Sequence, residues 1–437
     1  YLNSFVRTFD MNVAPLLRSA IVEIVNVGYF WVGDIHHIIG DGISREVLKN
    51  DFFSLYKGET LENLRLQYKD FSVWQNEMIE SGELESQKKY WLSQFSDSIP
   101  KLNFPNDHPR PAVFTFEGAS IEFSIDKHLT SKIKSFNKKR QTTLQMTLLS
   151  VLNVVLHKYT GKEDIAIGFG IAGRRHSDLE QIVGMFVNTL VTRNFPESRK
   201  QFDTLLEEVK HNCILAYENQ EFQFEDLVDS LKLERDPSHN PIFDINMIVQ
   251  NYVKTESASS SALPATDTKN EFDVDTLLKA STTTKFDMTW FVVENDNEIT
   301  INLEYYSAIY NRSTIERLIE RFKTILNVVI DTPGILLSEI TMLNKEDEKE
   351  LMDKFVKGEK CDYSSQSTLH ELFEKQCLEL PTAVAIQDGE RLISYEELNN
   401  QANQLANFLI NDLGLKIESR VGIYQTKSKE HILSILA

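Results

Sequence analysis

The run Met146–Leu156, MTLLSVLNVVL, limits the fold more than any other stretch of this sequence. Apolar residues dominate it, yet Thr147, Ser150 and Asn153 interrupt it. A membrane-spanning helix needs about 20 consecutive, mostly apolar residues. This run is too short and too polar for that role, and it reads as a helix buried in a protein core. Around it, helical and strand-like segments alternate. Helices are predicted near 45–58, 70–80, 84–96, 126–139, 142–160, 200–219, 224–232 and 312–331. Strands are predicted near 20–26, 29–35, 120–125, 164–169, 242–251, 286–294 and 298–305. The mixture places the chain in the α/β or α+β class.

At 437 residues there is room for two or three domains. A hydrophobic share of 41% with 25% charged residues is the balance of a soluble globular protein. The net charge of −19 argues against sequence-independent binding to nucleic acid or to anionic membranes, though not against docking on a locally basic partner. Cys213, Cys361 and Cys377 are spaced for neither a zinc site nor a disulfide framework. With no signal-peptide pattern at the start, a reducing, cytoplasmic compartment is the expectation. The chain opens on Tyr1 and stops within the apolar pattern HILSILA, so a piece of a longer polypeptide is expected.

Residues 254–270, KTESASSSALPATDTKN, read as a mobile loop inside a domain, because strand-like FDMTWFVVE follows. A larger change in composition falls near 344–367, where a charged helix, NKEDEKELMDKF, gives way to a polar linker. A new unit is expected from 368. In it, Leu398, Ala402, Leu405, Ala406 and Leu409 recur at helical spacing and form one apolar face.

The chemistry concentrates at Asp34–Gly42, DIHHIIGDG. It follows the second of two β-rich runs around Val27-Gly28, and Ser44 is placed to cap a helix starting near Arg45. The histidines therefore sit in a strand-to-helix loop. A metal site would need three or four ligands. His36, His37 and Asp41 could supply three, but adjacent residues of an extended segment point to opposite faces. That disfavours metal and leaves two readings open. In one, an imidazole facing a cleft acts as a base, since such groups titrate near about 6.5. Asp41 then braces the loop and Gly42 leaves room for a substrate. In the other, both histidines are ordinary loop residues.

Further segments are each structural when taken singly. YKDFSVWQNEM (68–78) is an aromatic helix, and IAIGFGIAGRR (165–175) is a strand ending in a glycine turn. That turn is not a phosphate loop, since no Gly-Lys-Ser/Thr follows. VGMFVNTLVTR (183–193) suits a buried sheet edge, and RDPSHNPIFDINM (235–247) is a turn entering a strand.

Taken in order, HHIIGDG, YKDFSVW, VGMFVNT, FQFEDLV (222–228) and RDPSHNPIF resemble the condensation domain of nonribosomal peptide synthetases, over residues 1–343. Residues 368–437, through ISYEELNNQANQLANFL (393–409), resemble the start of an amino-acid adenylation domain, with 344–367 as linker. The resemblance implies two chloramphenicol-acetyltransferase-like lobes in a V around a central tunnel. The lobe boundary is expected near 95–115, with the first part of the N-terminal lobe missing. It implies amide formation between a donor acyl or peptidyl thioester and an acceptor amine. Both ride on 4′-phosphopantetheine arms of upstream and downstream carrier domains, so no cofactor or metal is expected on this chain itself. Nucleic acid and membranes are not expected partners.

By the family's pattern His37 is the catalytic candidate, as base or as positioner. His36 supports the loop. Asp41 and Gly42 shape it, with Arg174 as the expected ion-pair partner of Asp41. Asn188, Arg235 and Asn240 are scaffold. Ile43 stands where the family often has Trp. The nucleotide-binding motifs of the adenylation family do not occur before Ala437, so no adenylation is expected. A heterocyclisation domain would carry paired aspartates in place of the histidines. An epimerisation domain would not normally precede an adenylation domain, and a free-standing acyltransferase would lack the junction at 344–367. A docking platform without catalysis is the non-enzymatic alternative.

Overall fold

The structure, a computed structural model, describes residues 2–25, 28–234, 236–250, 283–295, 298–343, 345–356 and 368–437. Arg235, Cys361, the 254–270 loop and residues 357–367 of the expected linker lie outside the described residues. The chain divides into two units, Tyr1–Glu348 and Lys349–Ala437.

The first unit runs α1 (Leu2–Phe5), β1 (Leu17–Ile24), β2 (Gly28–Ile35), α2 (Gly42–Tyr56), α3 (Tyr68–Glu80), α4 (Glu85–Gln94), β3 (Gly118–Ile125), α5 (Lys127–Arg140) and α6 (Leu144–Thr160). It continues with β4 (Ile165–Ile171), β5 (Asn188–Asn194), α7 (Phe202–Glu218), α8 (Phe224–Leu231), β6 (Ile245–Gln250), β7 (Met288–Glu294), β8 (Ile299–Tyr306) and α9 (Arg312–Asp331).

Helix α6 is the centre of this unit. Every residue from Met146 to His157 is buried. Its polar side chains bond nearby: Ser150 Oγ donates to Met146 O and Asn153 Nδ2 to Leu149 O, both at 2.8 Å, while Asn153 Oδ1 is buried without a partner among the described residues. Thr147 Oγ1 reaches Asn137 Oδ1 of α5 at 2.7 Å. Bonding back one turn satisfies the buried donors of such hydroxyl and amide groups. Thr143 caps the start of α6, and Gly161 ends it in a left-handed conformation.

Helices α5, α7 and α9 pack around α6 against one face of a six-stranded sheet of order β3-β8-β7-β6-β4-β5. The β4–β6 and β6–β7 pairs are parallel and the rest antiparallel. β5 is an edge strand, as VGMFVNTLVTR suggests. A second apolar cluster joins Met78, Leu84, Trp91 and Phe95, from the α3–α4 region, to Phe169, Leu190, Phe222 and Phe243. Trp91 is almost wholly buried there, and its indole N–H donates to Asn219 O at 2.8 Å. Arg193 reinforces the join by bonding both Asp97 and Asp164.

β1 and β2 form a separate antiparallel hairpin, paired from Leu17↔Ile35 to Ile24↔Gly28. Trp31 of β2 stacks on Phe52 of α2 with ring centroids 4.1 Å apart. The end of the hairpin therefore delivers the histidine loop directly onto α2.

The second unit opens within α10 (Lys345–Leu351), whose end passes into a π-turn at Met352–Val356. Beyond it lie α11 (Leu369–Glu379), a β9 (Val384–Asp388) and β10 (Arg391–Ser394) hairpin, α12 (Tyr395–Asn407) and α13 (Lys429–Leu436). Ser394 caps α12, and Leu398 and Ala402 are its buried residues. They belong to the apolar face read from the sequence.

Candidate active site

The backbone leaves β2 at Ile35, and His36 N–H still donates to Leu16 O at 3.0 Å. A single 3-10 turn, His37–Ile39, follows. His36 is extended and its Nδ1 accepts from Ile38 N–H at 3.1 Å, which places the proton of the neutral ring on Nε2. Its ring meets Phe9 edge-on at 5.9 Å. His37 is exposed and has no ion pair or hydrogen bond to its imidazole among the described residues. The extended backbone expected across the pair ends at His36, since His37 already belongs to the 3-10 turn. Among the described residues, no group of three or more His, Cys, Asp or Glu is placed to hold a metal ion.

Asp41 is 2% exposed and is the densest polar centre of the loop. Its Oδ1 accepts from Ser44 N–H and lies 2.8 Å from Ser44 Oγ. Arg174 Nη2 lies 3.0 Å from Oδ1 and 3.2 Å from Oδ2, and Phe186 N–H donates to Oδ2 at 3.2 Å. Asp41 is therefore the cap of α2, and the helix starts at Gly42 rather than near Arg45. Ser44 is not the cap. It sits inside the first turn, fully buried, because Asp41 three residues earlier already holds its N–H.

Ser44 Oγ has other partners that the sequence does not reveal. It lies 2.9 Å from Gly184 O, accepts from Gly184 N–H at 3.1 Å, and accepts from Arg174 Nη2 at 3.1 Å. Tyr68, at the start of α3, donates its hydroxyl to Met185 O at 2.8 Å. Its phenol is raised above the ordinary value of 10.0 by burial, and further by the Asp41 charge.

Arg174 is buried and also donates through Nη1 to Leu179 O and Ile182 O. Its guanidinium lies 4.0 Å from the centre of the Phe186 ring. Gly173 makes this turn possible. Its φ is +64°, and a Cβ there would lie 1.9 Å from Phe186 O. A cavity of about 660 Å³ adjoins the turn, with Phe71, Trp74, Met78, Leu84 and Leu179 on its apolar walls and Gly173 and Arg175 beside them.

Asn188 and Asn240, expected as scaffold, lie elsewhere. Asn188 Nδ2 donates to Gln220 O and Phe222 O, and its Oδ1 accepts from Phe224 N–H, which ties β5 to the turn before α8. Asn240 Oδ1 accepts from Ile242 N–H at 3.4 Å within its own turn. The same turn pairs His239 Nδ1 with Asp244 Oδ1 at 3.1 Å.

Residues 2–352 match the family model of the condensation domain, and residues 373–437 match that of AMP-binding enzymes. Gramicidin S synthase 2 of Aneurinibacillus migulanus is 39% identical over 435 residues, covering 100% of this chain and 10% of that protein. Tyrocidine synthase 3 of Brevibacillus parabrevis is 40% identical over 435 residues, covering 100% of this chain and 7% of that protein. The chain thus spans a tenth or less of the length of these two relatives. Among solved structures, a four-domain nonribosomal peptide synthetase bound to AMP and glycine aligns at TM-score 0.75 and 21% identity, over 93% of this chain and 31% of that one. The condensation domain of the Monacolin K polyketide synthase aligns at TM-score 0.62 and 19% identity, over 76% of each chain. At these identities the structural likeness speaks to the fold. One family model spans the histidine loop, the residues that hold it and the sheet behind it, and the chain belongs to the condensation domain family, with the start of an AMP-binding domain after it.

Proposed function

We propose that this chain catalyses amide formation between a donor acyl or peptidyl thioester and an acceptor amine in nonribosomal peptide synthesis. The observation that carries this is a contrast within one loop. The side chains of Asp41, Ser44 and Arg174 are buried and bonded, whereas His37, four residues before Asp41, is exposed with its imidazole unpaired among the described residues. A loop this firmly held, offering one free imidazole, suits contact with a reacting group better than packing.

The acceptor nitrogen attacks the thioester carbonyl carbon, and a tetrahedral oxyanion forms. The C–S bond then breaks, the amide carbonyl reforms, and the thiolate leaves and is protonated to the thiol. The ammonium formed on attack must lose a proton, and contact with that amine, as base or as positioner, is assigned to His37. General-base help is worth about 10²–10⁴-fold, and alignment of two tethered reactants can contribute more. The thioesters are carried on 4′-phosphopantetheine arms of upstream and downstream carrier domains, so the chain itself binds no cofactor permanently. Asp41 is assigned a role in loop shape and no proton transfer, since its carboxylate is committed to Ser44, Arg174 and Phe186. Asn188, Arg235 and Asn240 are assigned to the scaffold. The condensation domain is taken as residues 1–343, the linker as 344–367 and the adenylation portion as 368–437. A cytoplasmic location belongs to the same reading, supported by the free thiols of Cys213 and Cys377.

The test is product formation from two loaded carrier domains by the chain in its native polypeptide, compared with His37→Ala. Amide yield from the native protein and a rate loss of at least about 10²-fold in the variant are expected. Equal rates would remove His37 from the reaction. A limb in the rate–pH profile that disappears in His37→Gln identifies proton transfer, and a flat profile identifies alignment alone.

A further inference from the structure

Three consecutive residues before β5, Gly184, Met185 and Phe186, are held through four backbone polar groups by side chains more than a hundred residues earlier. Gly184 N–H and C=O both meet Ser44 Oγ, Met185 C=O accepts from Tyr68, and Phe186 N–H donates to Asp41. Gly184 also admits the Tyr68 ring. A Cβ at that position would lie 2.1 Å from Tyr68 Cδ2. The ring packs edge-on against Phe186 with centroids 5.1 Å apart.

This arrangement links the sheet to the histidine loop. Phe186 leads within two residues into β5, which is paired along its length with β4. On the other side, Asp41 and Ser44 open α2, four and seven residues after His37. The position of the six-stranded sheet is therefore passed through 184–186 to the histidine loop. Reactions between two tethered groups depend steeply on such registration: a misplacement of about 1 Å can cost about 10²-fold.

We infer that Ser44, Tyr68 and Gly184 are positioning residues for amide formation at His37, acting by fixing residues 184–186 against the histidine loop. This rests on the reaction proposed above.

The experiment measures kcat, and KM for each loaded carrier domain, in the native polypeptide. Gly184→Ala and Tyr68→Phe are introduced singly, each with His37 present and in a His37→Ala background. Gly184→Ala drives the Tyr68 ring from its place and is expected to lower kcat about 10²-fold. Tyr68→Phe removes only the bond to Met185 O, and a fall of about 2–10-fold is expected. It keeps the test decisive should Gly184→Ala fold poorly. KM for both carriers stays unchanged, and in the His37→Ala background neither substitution lowers the rate further. A fall by the same factor in both backgrounds, or a rise in KM at constant kcat, would overturn the inference and leave a merely structural contact. A native protein that forms no amide overturns the reaction itself, and the inference with it.

Discussion

Replacing Asp41 by alanine tests the central contact of the loop. The carboxylate is 2% exposed and accepts from Ser44, Arg174 and Phe186. Losing it removes the cap of α2, at about 1 kcal/mol. The buried Phe186 N–H loses its acceptor, at about 1–3 kcal/mol. Breaking a buried ion pair by deleting one partner costs about 3–5 kcal/mol. These costs overlap, because one group makes all the contacts. Arg174 also keeps the Leu179 and Ile182 carbonyls and the face of Phe186. A net loss of about 4 kcal/mol follows, roughly 10³-fold in the folding equilibrium. Arg174→Ala strands the Asp41 charge with its neutral donors and is expected to cost about 3 kcal/mol. The double variant leaves no unpaired buried charge, so it should cost about 4 kcal/mol rather than the sum, a coupling of about 3 kcal/mol. Urea unfolding followed by tryptophan fluorescence is the assay. All four tryptophans, Trp31, Trp74, Trp91 and Trp290, lie in the first unit, so the signal reports that unit alone. Additivity within about 0.5 kcal/mol would refute the reasoning, because it would mean that the two groups do not sense each other.

Three further outcomes are expected. Gly173→Ala should lose more than about 1 kcal/mol from its left-handed backbone alone, with the clash on Phe186 O adding to it, and thermal unfolding measures the loss. His239 is held above the ordinary imidazole value by its hydrogen bond with Asp244, against the opposing effect of burial. Its contribution to stability is therefore complete below about 6.5 and fades as pH rises through the higher folded value. Midpoints measured across neutral pH should show that decline, and His239→Gln should abolish it. Burial pushes the Cys213 thiol up to about 12, so iodoacetamide in mildly alkaline buffer should label it only after denaturation, as read by peptide mass mapping.

The loop was legible in unequal parts. Strand geometry, which is local, predicts opposed facing of His36 and His37, but the extended backbone stops at His36 and His37 already lies in a 3-10 turn. The helix start was misplaced by three residues, because Asp41 and Ser44 are both good caps. Choosing between them depends on which side chain is drawn inward, and Arg174 and Gly184 decide that from far along the chain. The cross-chain roles of Ser44 and Tyr68 left no local signal. Tyr68 reads as one more aromatic on an amphipathic helix. Gly184 carries no turn signature, since its glycine is required by the approach of a ring and not by its own backbone angle.

By itself, the sequence determined the alternation of helices and strands, the buried character of α6, the strand-to-helix setting of the histidines and the family to which the motif series belongs. These depend on periodicity and residue type, which are properties of short segments. Tertiary structure alone decided the strand order β3-β8-β7-β6-β4-β5, the sharing of Asp41 among a helix cap, an arginine and a distant amide, and the clamp on residues 184–186. Each of these pairs groups far apart along the chain, and no local propensity encodes which distant partner will satisfy a buried polar atom.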